Sequence, residues 1–114
     1  MKKMTSLFKK LSIENKALYL ELIRYIEGKY DVCLQEVMLK DILPTDRRFR
    51  ADIWVPAGRF TVEVNGGSWT GGRHVRGLGY ENDLIKINLL QTNNIRCFQY
   101  TFDMLKKRLY LNNF

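Results

Sequence analysis

The sequence predicts an α/β fold in which one mixed β-sheet is flanked by helices, in the order helix, three strands, helix, strand, helix. Three observations carry this reading. Residues 49–65 hold two period-two runs on either side of Pro56-Ala57-Gly58-Arg59, the pattern of a β-hairpin. Residues 12–27 and 80–92 carry apolar side chains at helical spacing. A short β-like run, IRCFQYT, follows the second of these helices, so the last strand returns after a crossover and the sheet is mixed. A helix packed on each face would cover such a sheet.

Taken in order, residues 1–11 are a basic lead with Lys2, Lys3, Lys9 and Lys10, expected to fray or to add phosphate contacts. Ser12 is a candidate N-cap for the first helix and Glu14 suits its first turn. Leu18, Leu22, Tyr25 and Ile26 form its apolar stripe, and Gly28 is a plausible stop. Glu14 and Glu21 share a flank of that stripe; Glu21 is kept as a candidate third site acid. Residues 30–38 read as the first strand. Glu36 near its end is either an exposed edge residue or one leaning toward the acids described below. A loop with Pro44 follows, and Arg47, Arg48 and Arg50 cluster beyond it. In the second helix Leu84, Ile87 and Leu90 lie on one face, flanked by Ile85 and Leu89, and Asn93-Asn94 ends it. Thr101 reads as the N-cap of a last helix running to about residue 110, with Lys106, Lys107 and Arg108 as a basic face.

The chain of 114 residues fits one domain, with 46% hydrophobic and 27% charged residues, an ordinary globular mix. A net charge of +7 suggests a polyanionic partner, usually nucleic acid and less often a membrane surface. Cys33 and Cys97, with one histidine in the chain, make neither a zinc pattern nor a disulfide framework. The N-terminus has no apolar signal-peptide core, and no apolar run approaches the roughly 18–20 residues of a membrane span. A cytoplasmic, reducing setting and no membrane partner are expected.

The hairpin register carries the chemistry. A loop centred between Ala57 and Gly58 sets Asp52 directly across from Glu63 and Arg50 across from Asn65. Slipping the turn centre by one residue leaves the two acids near neighbours on one face. Directly opposed side chains have Cβ atoms about 4.5–5.5 Å apart. Carboxylates that close repel unless a cation or a shared proton lies between them. A hard divalent ion with oxygen ligands is one answer, and a solvated polar face of the sheet is the other.

The segment after the hairpin, residues 66–79, holds six of the chain's eight glycines, interleaved with Trp69, Arg73, His74 and Arg76. Glycines let the backbone approach a phosphate closely, and arginines supply charge-assisted bonds to its oxygens. Trp69 either stacks against a base or anchors the loop. No Gly-Lys-Ser/Thr follows, so this is not a phosphate-binding P-loop.

The αβββαβ order, with an Asp before the hairpin turn and a Glu in the next strand, resembles the PD-(D/E)XK nuclease superfamily and its restriction-endonuclease-like fold. More narrowly, RRFRADIWVP, VEVNGGSWTGGRHVRGLGYENDLIKIN and IRCFQYTFDML resemble small phage and prophage endonucleases related to the Vsr-like branch. The resemblance covers roughly residues 33–105 and is most specific over residues 62–88. It implies that Asp52 is the metal-binding aspartate, Glu63 the acid of the (D/E)XK element, and the carbonyl of Val64 a backbone ligand. Glu21 matches the acid of the first helix, His74 the histidine of a Gly-Arg-His segment, and Lys86 a lysine on the helix after the loop. Asn65 stands where the family pattern has its lysine, so Lys86 would reach the same space from the helix, or His74 would act as general acid or base.

The expectation is therefore a Mg²⁺- or Mn²⁺-dependent DNA endonuclease, with Asp52, Glu63 and Val64 holding metal and Asn65, Lys86, His74 and Glu21 completing the catalytic set. Arg50, Trp69, Arg73 and Arg76 would bind DNA. A chain little larger than the fold's core would read DNA shape, such as a branched junction, or act as a homodimer. The alternatives are a nuclease fold that binds DNA without cutting it, and a basic structural or RNA-associated protein.

Overall fold

The computed structural model describes residues 6–64 and 78–114. Its strands are β1 (Leu34–Met38), β2 (Arg50–Val55), β3 (Phe60–Val64) and β4 (Arg96–Tyr100), in sheet order β1-β2-β3-β4. The hairpin β2–β3 has the register its turn dictates, pairing Ile53 with Val62, Trp54 with Thr61 and Val55 with Phe60. The turn closes by an N–H of Arg59 donating to the Pro56 carbonyl at 3.1 Å. Gly58 is required there, because a Cβ would stand 2.6 Å from the Phe60 ring and 2.9 Å from the Tyr30 ring. β1 runs antiparallel to β2, and β4 runs parallel to β3 from Phe60↔Arg96 to Val64↔Tyr100. That parallel return needs a crossover, and α3 (Leu78–Thr92) supplies its helix. The expected αβββαβ core with helices flanking a mixed sheet is present.

The sheet packs into two cores. On one face Ile53, Val55, Phe60, Val62, Val64 and Tyr100 pack against Tyr19, Leu22, Ile23 and Ile26 of α2 (Ile13–Tyr30). A second cluster joins Trp54 and Ala51 to Leu90 near the end of α3, to Ile95 just before β4, and to Leu39 and Leu43 in the connection after β1. Leu39 opens a short 3₁₀ turn, Leu39–Asp41. No helix among the described residues is long and apolar enough to cross a membrane.

Several boundaries differ from expectation for identifiable reasons. Ser12 does cap α2, accepting from the Asn15 N–H at 3.1 Å. The helix then runs through Gly28 to Tyr30 and ends where Asp31 turns left-handed, φ 65°, its N–H on the Glu27 carbonyl. The buried stripe is Tyr19, Leu22, Ile23 and Ile26, while Leu18 and Tyr25 are half-buried. Within the described part of the basic lead, α1 (Ser6–Lys9) carries Phe8 into the core, its ring 6.2 Å from the Tyr19 ring. α4 (Phe102–Lys106) is shorter than expected, although Thr101 caps it by accepting from the Met104 N–H at 3.1 Å. The chain beyond it folds back. Tyr110 and Phe114 are buried, and Phe114 stacks on Phe60 with ring centroids 4.8 Å apart.

Candidate active site

The site forms where the hairpin gives up its ladder. The β2–β3 backbone pairs end at Ile53↔Val62, and at the next position the carboxylates take the place of backbone acceptors. The Asp52 N–H donates to Glu63 Oε2 at 3.2 Å, and the Val64 N–H donates to Asp52 Oδ2 at 2.9 Å. Each acid is therefore held by the opposite strand's backbone, which fixes the two side by side, Glu63 within reach of Lys86 on α3. A side chain without an acceptor oxygen at this reach could not make this exchange and would leave an amide unpaired.

Burial is the largest influence on both acids and pushes each carboxyl above its usual range. For Asp52 the Val64 N–H and the charges of Lys86 and Arg50 pull the other way, while Glu36 adds to the rise. For Glu63 the Lys86 charge opposes burial and Asp52 adds to it. Lys86 reaches in from α3, its ammonium 2.8 Å from Glu63 Oε1 and also donating to the Arg50 carbonyl. It is one helical turn before Leu90, which is fully buried beneath Trp54, so the same face of α3 carries the anchor and the cation. The expected apolar face of this helix is only partly the buried one, because Leu84 is 42% and Ile85 38% exposed.

Two neighbours complete the row across the sheet. The β1–β2 register brings Glu36 opposite Asp52, where Glu36 takes a left-handed φ of 50° that interrupts the ladder. Its carboxylate pairs with Arg50 at 3.1 Å. On the other side, Gln99 of β4 lies across from Glu63. A cavity of about 30 Å³, the space of one water, lies between Glu63, Asp83, Lys86, Ile87, Cys97 and Gln99.

The structure thus brings Asp52, Glu63, Val64 and Lys86 together and sets Arg50 beside them. Glu21, the expected third site acid, is not brought to the pair: it is bound to Arg108 at 2.7 Å and accepts from the Tyr110 hydroxyl at 3.2 Å. Glu36 is the acid that reaches Asp52 electrostatically. Asn65, Trp69, Arg73, His74 and Arg76 lie outside the described residues. Reading from sequence missed Gln99 altogether and left Glu36 undecided, because no short turn sets the register of β1 or β4.

Among the described residues no group of three or more His, Cys, Asp or Glu side chains converges. The donor set is two carboxylates with the Val64 backbone beside them. That fits Mg²⁺ or Mn²⁺, which take hard oxygen ligands, commonly one or two carboxylates with waters and substrate phosphate. It does not fit zinc, which favours imidazole and thiolate sets. Comparison of the chain with protein-family models, with curated proteins and with solved structures finds no match.

Proposed function

We propose that this chain is a metal-dependent DNA endonuclease of the PD-(D/E)XK type, hydrolysing phosphodiester bonds with Asp52, Glu63 and Lys86 at its centre. The observation that carries the reading is the pair of opposed, backbone-tethered carboxylates with the Lys86 ammonium 2.8 Å from one of them. Asp52, Glu63 and the Val64 carbonyl would hold Mg²⁺ or Mn²⁺, which when bound supplies Lewis-acid stabilisation of a phosphoryl oxygen and a more acidic water. The chain's own residues do the rest. The reciprocal amide bonds pre-orient both carboxylates, so little reorganisation is needed when charge develops. Lys86 supplies the positive charge that Asn65 cannot, placed on the Glu63 side of the pair. It balances that acid in the free protein and can donate to a phosphate oxygen in the complex. That replacement from α3 favours a working nuclease over a nuclease fold that only binds DNA.

The substrate reading is DNA, with shape rather than sequence recognised, as in branched or nicked duplex. A homodimer acting in the cytoplasm is part of the proposal. The test is cleavage of supercoiled plasmid and of a synthetic four-way junction in Mg²⁺, Mn²⁺ and EDTA. Metal-dependent products from the wild type, lost in Asp52→Asn and Glu63→Gln variants that still fold, are expected. Tight binding with no product in any metal would overturn the enzymatic reading.

A further inference from the structure

A second concavity adjoins the acidic pair. It has a volume of about 420 Å³ and is lined by Arg47, Arg48, Phe49 and Arg50 on the strand side and by Asn82, Asp83 and Lys86 on α3. Asp83 and Lys86 also line the small cavity beside Glu63, so the two spaces share a wall. Four of its lining residues are cations and one is an acid. Two of those cations are already neutralised, Arg50 by Glu36 at 3.1 Å and Lys86 by Glu63 at 2.8 Å. Arg47 and Arg48 have no acidic partner among the described residues.

Unpaired guanidiniums on a convex surface are ordinary and need no ligand. Gathered on one wall of a cleft they repel, and the low-dielectric walls focus their field into the space between. Arg47 is also held. Its backbone N–H donates to Thr45 Oγ1 at 3.1 Å, and its guanidinium stands over the Phe49 ring at 5.5 Å, which limits the rotamers it loses on binding. An arginine pre-positioned in this way suits an anion that presents two oxygens side by side, as the non-bridging oxygens of a phosphodiester do.

We propose that this cleft is a phosphodiester-backbone groove, in which Arg47 and Arg48 hold the phosphate next to the one at the acidic pair. The ligand class is a polynucleotide strand rather than a mononucleotide. The groove opens onto a second phosphate position at Lys86, and the aromatic among its described lining residues, Phe49, is already covered by the Arg47 guanidinium. The inference rests on the nuclease reading of Asp52 and Glu63, and it assigns binding to residues outside that pair. Arg47 and Arg48 would fix register along the strand and carry no sequence information.

The experiment is fluorescence anisotropy with labelled duplex and single-stranded DNA, using the uncleaving Asp52→Asn protein in EDTA across a salt series. Compared with that parent, Arg47→Ala/Arg48→Ala should bind roughly tenfold more weakly, and its log–log salt slope should fall by about 0.9 on duplex and about 0.7 on single strand, one phosphate's worth. Arg47→Lys/Arg48→Lys should recover most of the slope. Lys106→Ala/Lys107→Ala removes the same charge from the end of α4 and its C-cap and controls for net charge; it should leave the slope unchanged. An unchanged slope in the arginine variant, or an equal loss in the lysine control, overturns the groove while leaving the acidic pair's role intact. In the cleaving protein the arginine variant should raise KM with kcat held. Inorganic phosphate competing at millimolar concentration as well as DNA does would identify a simple anion site and overturn the polynucleotide assignment. A parent that binds no nucleic acid at all fails the nuclease reading itself, a different result from failure of the cleft.

Discussion

Replacing Lys86 by methionine is the perturbation that tests the site most directly. Lys86 and Glu63 are 2.8 Å apart and their side chains are only 13% and 14% exposed. At an effective dielectric near 20, the attraction at this separation is about 6 kcal/mol before desolvation. Breaking a buried pair by removing one partner costs about 3–5 kcal/mol, since the survivor is left charged and uncompensated. Both groups here keep some water, so a loss of about 3 kcal/mol is expected. In a domain of this size each kcal/mol shifts Tm by about 4 °C or more, giving a fall of about 12 °C. Methionine keeps most of the stem packing and removes the charge. The assay is urea and thermal unfolding in EDTA of the wild type, Lys86→Met, Glu63→Gln and the double variant. Glu63→Gln in the Lys86→Met background should restore most of the loss, with a coupling of about 2–3 kcal/mol. A single variant within 0.5 kcal/mol of wild type, with coupling near zero, would refute the claim that α3 delivers the neutralising charge.

Three further outcomes follow from the same geometry. Burial raises the Asp52 and Glu63 carboxyls above their unfolded values, so each adds stability at low pH that is lost as pH rises through the raised value. Asp52→Asn should therefore be more stable than wild type in EDTA at pH 7 to 8, a gain that shrinks toward pH 4, and Mg²⁺ should raise Tm of the wild type alone; a gain that grows on acidification would contradict this. Gly58→Ala should cost about 1–3 kcal/mol in unfolding experiments, because its Cβ meets the Phe60 ring at 2.6 Å and that ring is stacked on Phe114; no loss would mean the turn relaxes freely. Glu21→Gln should cleave DNA at the wild-type rate and lose under about 1 kcal/mol, since its partner Arg108 is 62% exposed; a hundredfold loss of kcat would return Glu21 to the site.

The part of the site legible in the sequence is the part that local geometry fixes. A four-residue turn sets the β2–β3 register, so the opposition of Asp52 and Glu63 follows from where Pro56 and Gly58 stand. β1 is joined to β2 through a long connection that includes the 3₁₀ turn, and nothing local states that Glu36 faces Asp52. The helix faces were harder for a related reason. In α2 the stripe drawn through Leu18 and Tyr25 competes with the one through Tyr19 and Ile23, and tertiary packing chose the second. In α3 a purely apolar criterion passes over Lys86, whose stem and ammonium face the sheet while Leu84 and Ile85 face out. A buried lysine leaves no periodic signature, and only the resemblance singled it out.

The placement of that lysine changes what the site depends on. A lysine at the third position of the acidic strand element would be fixed by the same hairpin that fixes the acids. Here that position is Asn65, and the cation comes from another element whose seating is set by Leu90 against Trp54 and Ile95. The acids belong to the hairpin and the charge belongs to the helix, so the centre is complete only when α3 is docked. The adjoining cleft divides along the same line, with Arg47, Arg48 and Arg50 on the strand side and Asn82, Asp83 and Lys86 on the helix. A shift of α3 would therefore move the Glu63 counter-charge and one wall of the groove together. Strand binding in the proposed groove and charge balance at the acids would be coupled through the packing of a single helix.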